Sequence, residues 1–159
     1  MRQSTVLSVG VRASERNKAM SKIVGVYREV IEKSDWVAIA TAGPDGPHLA
    51  ACCTCNVMAF GISEGEIRIP AWRYEKTGEN LRRDPRIELL FVARDVPHAD
   101  GPGQGCSVVG MGELLESGPA AECVKERFPW ARGVLVVRVT SVRTHLPCLA
   151  VIPMGRDSD

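Results

Sequence analysis

The sequence predicts a mainly β fold, one domain closing into an antiparallel β-barrel, and three observations lead there. Six segments rich in β-branched and apolar residues succeed one another between Trp36 and Thr144. Turn-forming Gly and Pro join most of them. The helical segments among them are too few and too short to supply the crossovers of alternating βαβ units. A length of 159 residues suits a single hydrophobic core, with residues 23–146 as the domain, 1–22 as an N-terminal arm and 147–159 as a C-terminal tail.

Taken in order, Ile23, Val26, Tyr27, Val30 and Ile31 recur at the period of an amphipathic helix over Lys18 to Lys33. Trp36 to Ala42 reads as a strand. The run Gly43-Pro44-Asp45-Gly46-Pro47 then signals a hairpin. The returning strand is expected over His48 to Met58, a turn at Gly61 to Gly65, and a third strand over Glu66 to Pro70. Glu75 to Arg83 is charged, lacks strand alternation and stops at Asp84-Pro85, where proline disfavours helix in the preceding residue; it reads as a short helix. Arg86 to Ala93 and Gly105 to Glu116 are further strands. Pro119 to Arg127 is a helix with proline in its first turn, and Gly133 to Thr144 is the sixth strand. The Arg94 to Gly105 loop is long enough to suggest a role, with an ordinary barrel-end loop of equal weight.

Twenty Lys and Arg against nineteen Asp and Glu leave a net charge of +1, so no global field attracts nucleic acid or an anionic membrane. No apolar run approaches the roughly 18 residues of a membrane span. Residues 1–22 carry five basic side chains and a single acid, Glu15, which loosely matches a transit peptide, but an edge or flexible arm is the preferred reading. The expected location is cytoplasmic, and the six cysteines are accordingly expected as free thiols. Cys52, Cys53 and Cys55 form C-C-x-C. On a strand, Cys53 and Cys55 face one way and Cys52 the other, a spacing unsuited to zinc, so small buried side chains are the leading account. His48, His98 and His145 are dispersed, with His98 best placed to meet a ligand. Trp36 is expected in the core or at an interface. No metal site and no Ser-His-Asp order is recognisable.

The segment Tyr74-Glu75-Lys76-Thr77-Gly78-Glu79-Asn80 is the best candidate for chemistry. Thr77 is expected as a helix N-cap with Lys76 just before it, so that hydroxyl, ammonium and backbone N–H groups would converge on an anion. On spacing alone, Glu75 and Glu79 could equally neutralise Lys76 on a solvated helix.

Several segments in fixed order add context: Val37-Ala38-Ile39-Ala40-Thr41, Asp45-Gly46-Pro47-His48-Leu49, Lys76-Thr77-x-x-Asn80, Gly101-Pro102-Gly103-x-Gly105 and Phe128-x-Trp130-Ala131-Arg132. Together they resemble the small FMN-binding proteins of sulfate-reducing bacteria, within the pyridoxamine-phosphate-oxidase-like split barrels, over residues 34 to 144. The resemblance implies a six-stranded split barrel of the FMN-binding type, a homodimer, and FMN as cofactor near the subunit interface. It makes Lys76 and Thr77 phosphate ligands and lets Cys52, Cys53 and Thr54, with Ala71, Trp72 and Arg73, line the flavin. Trp130 would approach the ring, and the 94–105 loop would limit solvent access. The implied function is an FMN-binding redox protein, in electron transfer or as a flavin-dependent oxidoreductase, with unidentified partner. This chain departs from the family at Ala51-Cys52-Cys53-Thr54, where the family has Asn-Thr-Trp-Asn, and at Trp72-Arg73, where it has Gly-Gly. Those departures keep open a flavin-free binding or sensor module, or the same barrel carrying haem or a deazaflavin.

Overall fold

The computed structural model describes residues 23–146, apart from Glu64 and Asp100; the expected arm and tail, and the start of the expected first helix, lie outside the described residues. Within them the chain runs α1 (Val26–Lys33), β1 (Trp36–Gly43), β2 (Gly46–Cys53), α2 (Thr54–Met58), β3 (Glu66–Ala71), α3 (Glu75–Arg83), β4 (Arg86–Ala93), β5 (Gln104–Leu115), α4 (Pro119–Arg127) and β6 (Gly133–His145). All six strands pair antiparallel in one sheet of order β2-β1-β4-β5-β6-β3. The sheet curls into a half-barrel whose free edges are β2 and β3, and α2 touches both of them. The fold is thus mainly β and consistent with the split barrel expected.

Alternation along the strands explains the curl. Val37, Ile39, Leu89, Phe91, Ile67, Ile69, Leu135 and Val137 are all fully buried and fill one core with Val30 and Ile31 of α1. Burying one such side chain contributes about 1.5–3 kcal/mol, so a register slip in any strand would turn its whole inward set out to water. β6 is buried on both faces, because Val134 and Val136 pack beneath Ala121 and Val124 of α4. Between Val109 and Gly110 the β5–β6 register shifts, and there a Cβ on Gly110 would be driven into the carbonyl oxygen of Arg138.

Two boundaries differ from expectation. Among the described residues the first helix begins at Val26, not earlier, because Gly25 adopts φ 58° and breaks the helical path; Ile23 nevertheless reaches the core. The returning strand stops at Cys53 instead of running to Met58, and Thr54 opens a helical turn. That turn buries Thr54 and Val57, three residues apart, on one side. The Gly43–Gly46 hairpin forms as expected, with Gly46 at φ 137°.

Candidate functional site

The site grows from the junctions between β2 and α2 and between β3 and α3. α3 lies across β1 and β5, held by Asn80, whose buried amide donates to the Thr41 hydroxyl at 3.1 Å, and by Arg83, which donates to the carbonyl of Ala42. Gly78 permits this approach, since a Cβ there would stand 2.7 Å from a Leu114 methyl. The N-cap of α3 is Tyr74, not Thr77. The helix starts three residues earlier than a Thr77 cap requires, and Thr77 faces inward from its first turn.

This geometry separates Lys76 from Thr77. Lys76 is half exposed and ion-paired to Glu79 at 3.6 Å, a surface pair worth about 0–1 kcal/mol. Thr77 is 1 % exposed and its hydroxyl has no hydrogen-bond partner. The Thr54 hydroxyl is likewise buried and unpartnered. A buried hydroxyl left unpaired costs about 1–3 kcal/mol, and these two orphans fall at two of the positions the resemblance assigns to the cofactor.

Around them, Cys52 at the end of β2 meets Tyr74, whose hydroxyl bonds the thiol. Burial is the main cause that pushes both groups above their usual pKa, so both remain protonated near neutrality. Ala71 ends β3, and its carbonyl accepts from the N–H of Arg132 at 2.8 Å, which draws the segment after α4 onto the 71–74 turn. As a result Trp72 and Trp130 stand with ring centroids 6.4 Å apart, and Trp130 continues through Phe128 (5.4 Å) to Phe60 (5.5 Å beyond). The guanidinium groups of Arg73 and Arg132 flank Trp72 at 6.0 and 5.9 Å from its centroid. Trp72 is 47 % exposed and Trp130 40 %. Neither ring is swallowed by the core. A cleft of about 230 Å³ opens beside Trp72, lined by Tyr74, Glu75, Arg82, Glu116 and Arg132 among others.

The structure therefore brings together Cys52 with Tyr74, and Trp72 and Arg73 with Trp130. It turns Lys76 to solvent and Thr77 to the interior. The 94–103 loop does not line the Trp72 cleft. It borders a larger groove of about 740 Å³ on the outer face of the sheet, with Ala38, Leu49, Leu90 and Val92. His98 pairs through its backbone with Gly101 within that loop. Trp36 is not core: it opens β1 on the same outer face and is 65 % exposed. Spacing did not reveal the roles of Tyr74 and Arg132, which depend on contacts across the fold. The Ser107 hydroxyl and His145 Nε2, 2.7 Å apart, were equally illegible, lying on neighbouring strands 38 positions apart. Among the described residues no group of three or more His, Cys, Asp or Glu could hold a metal, and no helix is long and apolar enough to cross a membrane.

The profile of a family described as pyridoxamine 5′-phosphate oxidase matches residues 23–146. The chain belongs to this family. A relative named FMN-binding protein, from Nitratidesulfovibrio vulgaris (strain DSM 19637 / Miyazaki F), is 36 % identical over 122 residues, covering 77 % of this chain and 98 % of the relative. Among solved structures, a variant of HupZ from Group A Streptococcus superposes with a TM-score of 0.63 at 17 % identity, covering 77 % of this chain and 98 % of that one. A putative pyridoxamine 5′-phosphate oxidase from Lactobacillus delbrueckii gives 0.60 at 19 % identity, covering 79 % and 97 %. These two likenesses speak to the fold, which they share with this member of the oxidase family.

Proposed function

We propose that this chain is a flavin-binding redox protein that uses FMN and works as a homodimer in the cytoplasm. The observation that carries the reading is the 36 % identity to a protein named FMN-binding protein across nearly all of that protein's length. The site's chemistry supports it. The Thr54 and Thr77 hydroxyls, buried without partners, are donors and acceptors that a polar ligand would satisfy. Lys76, held only by a surface pair, is free to turn its ammonium toward a phosphate at little cost. Trp72 and Trp130 offer aromatic faces, and Arg73 and Arg132 add positive charge beside them. A bound flavin would supply one- and two-electron transfer, while the chain's own residues bind it, orient it and limit its contact with water.

The outer sheet face supports the dimer. Leu49 is 70 % exposed, Val92 60 % and Trp36 65 %, contiguous on β1, β2 and β4, an apolar surface of the kind that partners cover. Trp72-Arg73 and Ala51-Cys52-Cys53-Thr54, the departures from the pattern that the sequence resemblance implies, favour the second reading, a flavin-free binding or sensor module.

A visible spectrum of purified protein, followed by titration with FMN, FAD and riboflavin, separates the readings. Flavin absorbance bleached by dithionite supports the first, a Soret band supports a haem carrier, and a protein that stays colourless after FMN titration sinks the flavin reading. Lys76→Ala should then weaken FMN at least about tenfold, as expected for losing one charge-assisted hydrogen bond, while riboflavin binding is unchanged.

A further inference from the structure

We propose that Cys53 and Cys55 form a redox-active dithiol that exchanges with low-molecular-weight disulfides, a site that needs no cofactor. Had β2 continued through this region, two residues on one face would lie about 6.6–6.8 Å apart at Cα, the upper limit for a disulfide. Instead the strand ends at Cys53 (φ −65°, ψ 133°) and Thr54 begins a helical turn. The chain folds back there, so the Cys55 N–H donates to the Cys53 sulfur at 3.3 Å, while the Cys55 thiol itself donates to the side-chain oxygen of Asn56 at 3.9 Å. A helical step at Thr54 brings the two flanking Cα atoms to roughly 5.4 Å, inside the span that a disulfide bridges.

The other described cysteines are set apart from this pair. Cys52 points to the opposite face and is engaged by the Tyr74 hydroxyl. Cys106 is fully buried, its sulfur 3.9 Å from the carbonyl of Tyr27. Cys123 is exposed and belongs to a different helix, α4. Cys55 is exposed and Cys53 half buried, the disposition in which an outer thiol meets the reagent and an inner one resolves the adduct. In the exchange Cys55, once it loses its proton against a pKa that the neighbouring Cys53 raises, attacks one sulfur of the external disulfide as thiolate, forming a mixed disulfide and expelling one thiolate. Cys53, after losing its proton, displaces the second. One disulfide forms in the protein and one is cleaved outside it. The two protons from the protein thiols end on the two released small thiols, and the protein is oxidised by two electrons. The bond would fasten the turn that carries the buried Thr54 hydroxyl, whose backbone N–H is held by the Asp35 carbonyl at 2.9 Å.

The test incubates the reduced full chain, stripped of any cofactor, with excess oxidised glutathione, followed by alkylation and mass spectrometry. The expected result is a peptide spanning Cys53 and Cys55 lighter by two hydrogens, with no retained glutathione, restored by dithiothreitol. Cys52→Ser should behave the same, and Cys53→Ser should trap one glutathione on Cys55. The proposal is overturned if wild-type protein retains glutathione on Cys55, if both thiols stay open to alkylation, or if the new bond involves Cys52. Wild-type protein alone decides, so a variant that fails to fold leaves the outcome intact, and the readout is independent of flavin binding.

Discussion

At the scale of single residues, Thr77 shows how one side chain can stand in opposition to the stability of the free protein. Its hydroxyl is buried and unpaired, so Thr77→Val removes a desolvated polar group while keeping the shape. The protein without ligand should unfold at the same or a higher urea concentration, by up to about 1 kcal/mol. FMN affinity measured by fluorescence quenching should fall about tenfold or more. A variant that loses stability and keeps its FMN affinity would remove Thr77 from the site. Cys106 provides the pH test. Burial alone raises its thiol to about 12, against about 8.5 for an unfolded cysteine. A pKa raised on folding stabilises fully below the unfolded value and is lost as pH climbs through the folded one. Urea midpoints should therefore decline between roughly pH 8.5 and 12, more shallowly in Cys106→Ala than in the parent. Equal slopes would show that the thiol is not protected.

At the scale of elements, what positions the site is close approach of backbones. Gly110 sits where the β5–β6 register shifts, with no room for a Cβ beside the Arg138 carbonyl. Gly110→Ala should cost about 1–3 kcal/mol, the range for forcing extra atoms into a packed region, read as a lower denaturation midpoint with an unchanged slope. Other element-scale features were legible early. β4 and α4 have the bounds expected, because Asp84-Pro85 and Pro119 punctuate the chain locally. The end of β2 was not legible, since Cys53, Thr54 and Cys55 have no local signal that stops a strand. The helical turn there is set by burial of Thr54 and Val57 near β3.

At the scale of the whole molecule, the question is what covers the outer face of the half-barrel. Under the proposed dimer, Leu49→Asp places a charge where a second copy would bury a leucine that is 70 % exposed in one chain. The parent should sediment as a dimer and the variant as a monomer with unchanged circular dichroism. A parent that sediments as a monomer at micromolar concentration would defeat the dimer without touching the fold.

The sequence by itself determined the six antiparallel strands and the turns between them, because β-branched runs and Gly-Pro chemistry act over a few residues. It also carried the family, through short segments in fixed order. Only the tertiary structure decided that Tyr74 rather than Thr77 caps α3, that Thr77 turns inward while Lys76 turns out, and that Trp72 meets Trp130. It alone placed Cys53 and Cys55 against one another. Each of these depends on which distant surfaces a segment must bury, such as Leu114 under Gly78 or Ala71 beside Arg132, and no local pattern encodes that choice.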